Sequence, residues 1–97
     1  MRKATVFYTI VNPEATCNTF RRGISESRFK RNYKEVFKID VSLDSSDVRI
    51  CEKLYKDINS RRLRVKADRG IGIGDIIRVG RDYYLCHNLG FTKVKVG

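Results

Sequence analysis

Ten basic residues in two short blocks carry the strongest chemical signal in this sequence. Arg21, Arg22, Arg28, Lys30 and Arg31 form the first block; Arg61, Arg62, Arg64, Lys66 and Arg69 form the second. The planar fork of a guanidinium matches two phosphate oxygens at once, so blocks of this kind suit a nucleic-acid backbone. Phe29, Tyr33, Tyr83, Tyr84 and Phe91 lie near the blocks in sequence, and any of them left exposed offers a stacking surface for a base. Tyr83 joins the ten basic residues as a candidate contact. The same charges suit a second kind of partner, the acidic face of a protein. The net charge is +10 on 97 residues, enough to create a field around a small domain. It excludes one class outright, because a DNA mimic must be acidic.

The remaining reactive residues are too dispersed to form a catalytic set. Gly70-Ile71-Gly72-Ile73-Gly74 has the glycine spacing of a phosphate-cradling loop, but no Gly-Lys-Ser/Thr follows it. The next residues read as a strand rather than a helix, so a turn feeding a strand is the better reading. His87 is the only histidine and adjoins Cys86. Neighbours in a strand point to opposite faces, which makes them a poor nucleophile-base pair. Pairing of His87 with Cys17 or Cys51 requires the fold to bring them together. The three cysteines are odd in number and none sits at CxxC spacing, which argues against a disulfide framework or zinc site. Cys51 and Cys86 are expected to be buried thiols and Cys17 exposed. Asp75 and Asp82 bracket a hairpin, and turn capping accounts for both. No cofactor, metal or catalytic residue is assigned.

The elements that must position these residues follow from hydrophobic period. Ala4–Val11 alternates with apolar residues on both faces, Val6, Tyr8 and Ile10 on one and Phe7 and Val11 on the other, as in a buried central strand. Asn12-Pro13 stops it. Residues 25–32 are read as a short helix or an irregular arm. Tyr33–Val41 alternates as a strand, with Tyr33, Phe37, Ile39 and Val41 on one face. Leu43–Val48 carries the N-cap signal of an amphipathic helix over 44–59; if Asp44 is the cap, Leu43 and Val48 form its staple. Val48, Cys51, Leu54, Tyr55 and Ile58 form its apolar stripe, and Asp47 complements its dipole. Arg61–Arg69 alternates as an edge strand or extended arm with a basic outer face. Strands over 75–79, 83–87 and 91–96 follow, joined by turns at Gly80-Arg81-Asp82 and Asn88-Leu89-Gly90. The expected architecture is α+β in one domain, residues 1–97: a small curved antiparallel sheet with one amphipathic helix packed on it. A closed small β-barrel is the alternative. No apolar run approaches a membrane span and the N-terminus has no signal-peptide core, so the chain is read as soluble, unprocessed and cytoplasmic.

The C-terminal half resembles the YodL-like domains, small modules of firmicute genomes and their mobile elements. The resemblance runs over about residues 33–96. It rests on an extended strand (Tyr33–Val41), a polar helix start with an amphipathic helix (Asp44–Asn59), Gly74-Asp75-Ile76-Ile77, the aromatic strand Tyr83-Tyr84, and Gly90-Phe91 with Val94 beyond it. Where such members commonly carry Asp-Ser before the Gly-Phe turn, this chain has His87-Asn88. The resemblance implies a small binding or regulatory module encoded by a phage or other mobile element, and no defined reaction.

Two functions are therefore expected to compete. One is a non-enzymatic accessory protein that grips DNA or RNA through the arginine blocks with weak sequence preference. The other is a protein-binding inhibitor of a host enzyme or defence complex, of the host-takeover, anti-CRISPR or anti-restriction type, docking on an acidic or nucleic-acid-binding face.

Overall fold

The computed structural model describes residues 2–10, 23–42, 44–65, 69–87 and 90–97. In chain order the elements are β1 (Arg2–Thr9), α1 (Glu26–Asn32), β2 (Tyr33–Val41), α2 (Asp47–Asn59), β3 (Ile76–Val79), β4 (Asp82–His87) and β5 (Gly90–Val94). The five strands make one antiparallel sheet in the order β2-β1-β3-β4-β5. The sheet is open: β2 and β5 are its two edges, and the closed barrel is not formed. Val79 and Asp82 pair across a two-residue turn, which Gly80 opens with φ +62°, a conformation glycine adopts without a Cβ penalty.

Alternation along the strands sorts the apolar residues into two layers. Ala4, Val6, Tyr8, Ile77, Val79, Tyr84 and Cys86 face α2 and join its Ile50, Cys51, Leu54 and Ile58. Phe7, Ile76, Tyr83 and Leu85 face the other way and surround Phe29 of α1, with Ile24, Tyr33 and Val94. β1 is thus buried on both faces, as its doubly apolar pattern requires. Ile10 lies beyond the strand and is 63% exposed. The sheet carries two helices rather than one, because residues 26–32 are helical. Ser25 caps α1 by accepting from the Arg28 amide, and the whole helix is anchored by one buried side chain, Phe29. Phe29 stacks on Tyr33 and meets Phe7 and Tyr83 edge-on, with ring centroids 4.9 to 5.2 Å apart.

Four expectations are corrected. Tyr33 does not share a face with Phe37, Ile39 and Val41. The register shifts between Val6 and Phe7, so that Phe7 pairs with Glu35 and Val6 with Phe37. Val36 is the extra residue of the bulge, which reverses the facing of everything before it. The N-cap of α2 is Ser46, whose side chain accepts from the Arg49 amide, and not Asp44. The buried stripe is Ile50, Cys51, Leu54 and Ile58, with Asp47 half-buried at its start; Val48 and Tyr55 are 41% and 42% exposed. Residues 61–65 form no strand. The amides of Arg62 and Leu63 turn back to the Asp57 carbonyl, and Arg61 takes φ +64°. The alternation is real, with Leu63 and Val65 packed on the core and Arg62 and Arg64 outward, but no neighbouring strand pairs with it. Leu43, Ala67 and Val11 lie outside the described residues.

Two carboxylates, one half-buried and one fully buried, lock this frame. Asp47, at the start of α2, pairs with Arg2 of β1 and accepts from the Tyr84 hydroxyl of β4 at 2.6 Å. Arg2 also donates to the Ser45 carbonyl at 2.9 Å, so the helix start is tied to two strands. The Tyr84 bond, ahead of Arg2, holds the Asp47 carboxyl below its ordinary range. Burial, then the bond to Asp47, pushes the Tyr84 hydroxyl up. Asp75, the second carboxylate, organises the loop beside the candidate site.

Candidate functional site

The loop 70–74 is held from two sides. Asp75 is fully buried. Its carboxylate accepts from the amides of Thr9 (2.9 Å) and Gly72 (2.7 Å) and from both terminal nitrogens of Arg69 (2.5 and 2.8 Å). The Arg69 guanidinium also lies 4.2 Å from the centroid of the Tyr8 ring, and the Tyr8 hydroxyl donates to the Arg69 carbonyl at 3.0 Å. The Asp75 bond, against the cost of burial, raises the Arg69 pKa further. Burial, then the Asp75 charge, pushes the Tyr8 hydroxyl up to about 12. On the other side the Asn59 carboxamide pairs with residue 71 as a strand would, accepting from its amide at 2.7 Å and donating to its carbonyl at 3.1 Å. A Cβ at Gly70 would stand 2.1 Å from Asn59 Oδ1, so glycine is required there for close approach.

This bonding decides against a phosphate loop. The amides of Ile71 and Gly72 go to Asn59 and Asp75, that of Gly74 to the Cys86 carbonyl at 2.9 Å, and that of Asp75 to the Gly72 carbonyl at 3.1 Å. A cradle needs amides turned outward together, and four of these six residues have theirs engaged within the protein. The glycines serve the turn, as the strand after them implies.

The basic residues divide between the two faces of the sheet. Arg28, Lys30 and Arg31 are exposed on α1, in the Phe29 layer. Lys30 is paired with Glu26 at 3.3 Å one turn earlier. Arg61, Arg62 and Arg64 are exposed just past the C-terminus of α2, in the opposite layer. They make no ion pair with a described residue. Among the described residues, the first block therefore does not extend the second into one surface. Arg69 belongs to the second block in sequence, but its donors are committed to Asp75. Arg21, Arg22 and Lys66 lie outside the described residues. Tyr83 is half-buried against Phe29, with the Arg78 guanidinium 5.5 Å from its ring centroid, so its ring is a packing surface first.

Around the second block the chain forms a groove of about 700 Å³ lined by Ile58, Asn59, Leu63 and Val65 with Arg61, Arg64 and Arg69 at its walls. Asn59 and Ser60 also border a hollow of about 500 Å³ lined by Tyr55 and Phe91. These two rings meet edge-on at 6.3 Å. The sequence pattern assigned Tyr55 to the core; its exposure beside the arginines is the feature that reading missed. A helix face drawn through Ile50 rather than Val48 would have turned Tyr55 outward.

The other reactive residues stand apart. The His87 ring bonds the Thr92 hydroxyl on β5. Cys51 and Cys86 are buried, as expected of them. Burial pushes the Cys51 thiol up to about 12, the reverse of an activated nucleophile. Asp82 pairs with Lys93 at 3.4 Å, away from Asp75. Among the described residues no three ligating side chains gather as a metal site, and no helix is long and apolar enough to cross a membrane. Cys17 lies outside the described residues. No protein-family model, no curated protein and no solved structure matches this chain.

Proposed function

We propose that this chain is a small, basic, non-enzymatic binding module of a phage or other mobile element, of YodL-like type, that contacts nucleic-acid phosphates in the cytoplasm. One observation carries the reading: Arg61, Arg62 and Arg64 follow the end of α2, exposed and without an ion-pair partner among the described residues, and Arg61 and Arg64 line one groove, on a chain of net charge +10. Desolvating a guanidinium against a carboxylate of its own chain would use up its donors, as Arg69 shows. Three neighbouring guanidinium groups left in water keep their donors for phosphate and release counterions when they meet it. Arg28 and Arg31 on the far face then add long-range attraction rather than direct contact. The contacts are to backbone phosphate, so sequence preference is weak.

The test is capture from a host lysate with the tagged protein, with and without nuclease. The reading expects recovered material to be nucleic acid and whatever rides on it, and to be lost on nuclease treatment. A stoichiometric host protein that persists after nuclease would replace it with the protein-docking inhibitor.

A further inference from the structure

The arginine groove and the Tyr55-Phe91 hollow share Asn59 as a common wall, so a charged track and an aromatic surface adjoin at the end of α2. From this juxtaposition we infer that the site takes single-stranded nucleic acid, with backbone phosphates on Arg61, Arg62 and Arg64 and one base stacked on Tyr55. The inference rests on the nucleic-acid reading above and narrows it to one form of the polymer.

Three features favour a single strand. First, Tyr55 is 42% exposed although it is aromatic, and its ring contact with Phe91, at 6.3 Å and 80°, leaves much of its surface open. A paired base in a duplex has both faces occupied by its neighbours, so only an unstacked base can use that ring. Second, the adjoining charges are arginines on an irregular turn, not a helix or two-stranded ribbon shaped to enter a major groove. The turn itself is fixed, since the Arg62 and Leu63 amides bond the Asp57 carbonyl at 2.8 and 3.1 Å. Third, the floor of the groove has apolar Leu63 and Val65 between the arginines. Apolar surface next to charge suits a polymer that presents bases and phosphates alternately, and gains nothing from a uniformly charged duplex exterior. Glu52 and Lys56 also line the hollow and balance each other in charge, so it is the exposed ring rather than a net charge that marks this end for a base.

The experiment is fluorescence anisotropy with labelled mixed-sequence DNA and RNA single strands of about 15 nucleotides, long enough for one such site, and with the matching duplex. Wild type, Tyr55→Ala and Tyr55→Phe are compared. The single strands are expected to bind at least about tenfold tighter than the duplex. Tyr55→Ala is expected to weaken single-strand binding about 5- to 150-fold, the range for loss of one stacked base. Duplex binding should not change, and Tyr55→Phe should restore the single-strand affinity. Because Tyr55 is half-exposed, thermal unfolding of each variant verifies that the fold is intact. Equal affinity for single strand and duplex, unchanged by Tyr55→Ala, overturns this inference and leaves the phosphate-binding reading standing. Absence of binding to any of the three probes at low salt overturns both.

Discussion

Replacing Arg69 with methionine isolates the ion pair that holds the glycine loop. The substitution keeps an apolar stem near Tyr8 and removes the guanidinium. Breaking a fully buried pair costs about 3–5 kcal/mol, because the remaining charge is stranded. Here the two partners differ: Asp75 is fully buried, whereas the Arg69 side chain is 43% exposed. The carboxylate also keeps the Thr9 and Gly72 amides. Water on the arginine side and these two donors reduce the cost to about 2–3 kcal/mol. That is a large part of the roughly 5–15 kcal/mol available to a domain of this size. It corresponds to a fall in Tm of about 8–24 °C at about 4–8 °C per kcal/mol. Urea unfolding at neutral pH gives the same quantity through the midpoint, with the slope m unchanged. Asp75→Asn removes the same attraction and turns an amide N–H toward one of the four donors, so it should cost a similar amount. The double variant should then be less destabilised than the sum of the two by at least about 1 kcal/mol. An Arg69→Met protein within about 0.5 kcal/mol of wild type would show the pair to be worth no more than a surface bridge. It would refute the view that this arginine is structural and return it to the phosphate-binding set.

Gly70→Ala should destabilise by about 1–3 kcal/mol, since its Cβ displaces the Asn59 carboxamide and unpairs residue 71; in an Asn59→Ala background it should cost little more, and full additivity in denaturant midpoints would contradict the clash. The lowered Asp47 pKa implies stability that is fully present above the ordinary value of 3.8 and is lost as pH falls through the depressed folded value. Asp47→Asn should therefore lower Tm at pH 7 and flatten its decline across this acid range, and an unchanged pH profile would exclude the Tyr84-Arg2 bonding as its source. In a Cys17→Ser protein, Cys51 and Cys86 should resist a thiol reagent at pH 8 when folded and react fully in denaturant; rapid labelling of the native protein would show that the core opens readily.

Much of the frame is legible in the sequence, and each failure has a physical cause. Tyr33–Val41 was expected as a strand and has those bounds, and the C-terminal hairpins fall where Gly80 and Gly90 place them. The facing of Tyr33 was misread because a bulge is one extra residue, invisible to a period of two. Hydropathy places Val48 in the α2 stripe because it cannot show that Asp47 points to Tyr84 and Arg2. That rotation also hid Tyr55 from the site. α1 is seven residues long with one anchor, Phe29, too short for a periodic signal. The basic blocks were visible as charge, but charge alone does not tell a guanidinium in water from one held by a buried carboxylate. Arg69 and Arg64 look alike in sequence, and only the return of Asp75 beneath the loop separates them.

The central claim is that Arg61, Arg62 and Arg64 bind phosphate. It is tested most directly by salt-titrated binding of a labelled single strand to wild type and to the Arg61→Glu/Arg62→Glu/Arg64→Glu variant, whose exposed positions leave the core untouched. Three phosphate contacts predict a log-log slope of affinity against salt of about −2 for wild type, and near-complete loss of binding in the variant. Equal binding by the two proteins, or a wild-type affinity that does not respond to salt, would contradict it.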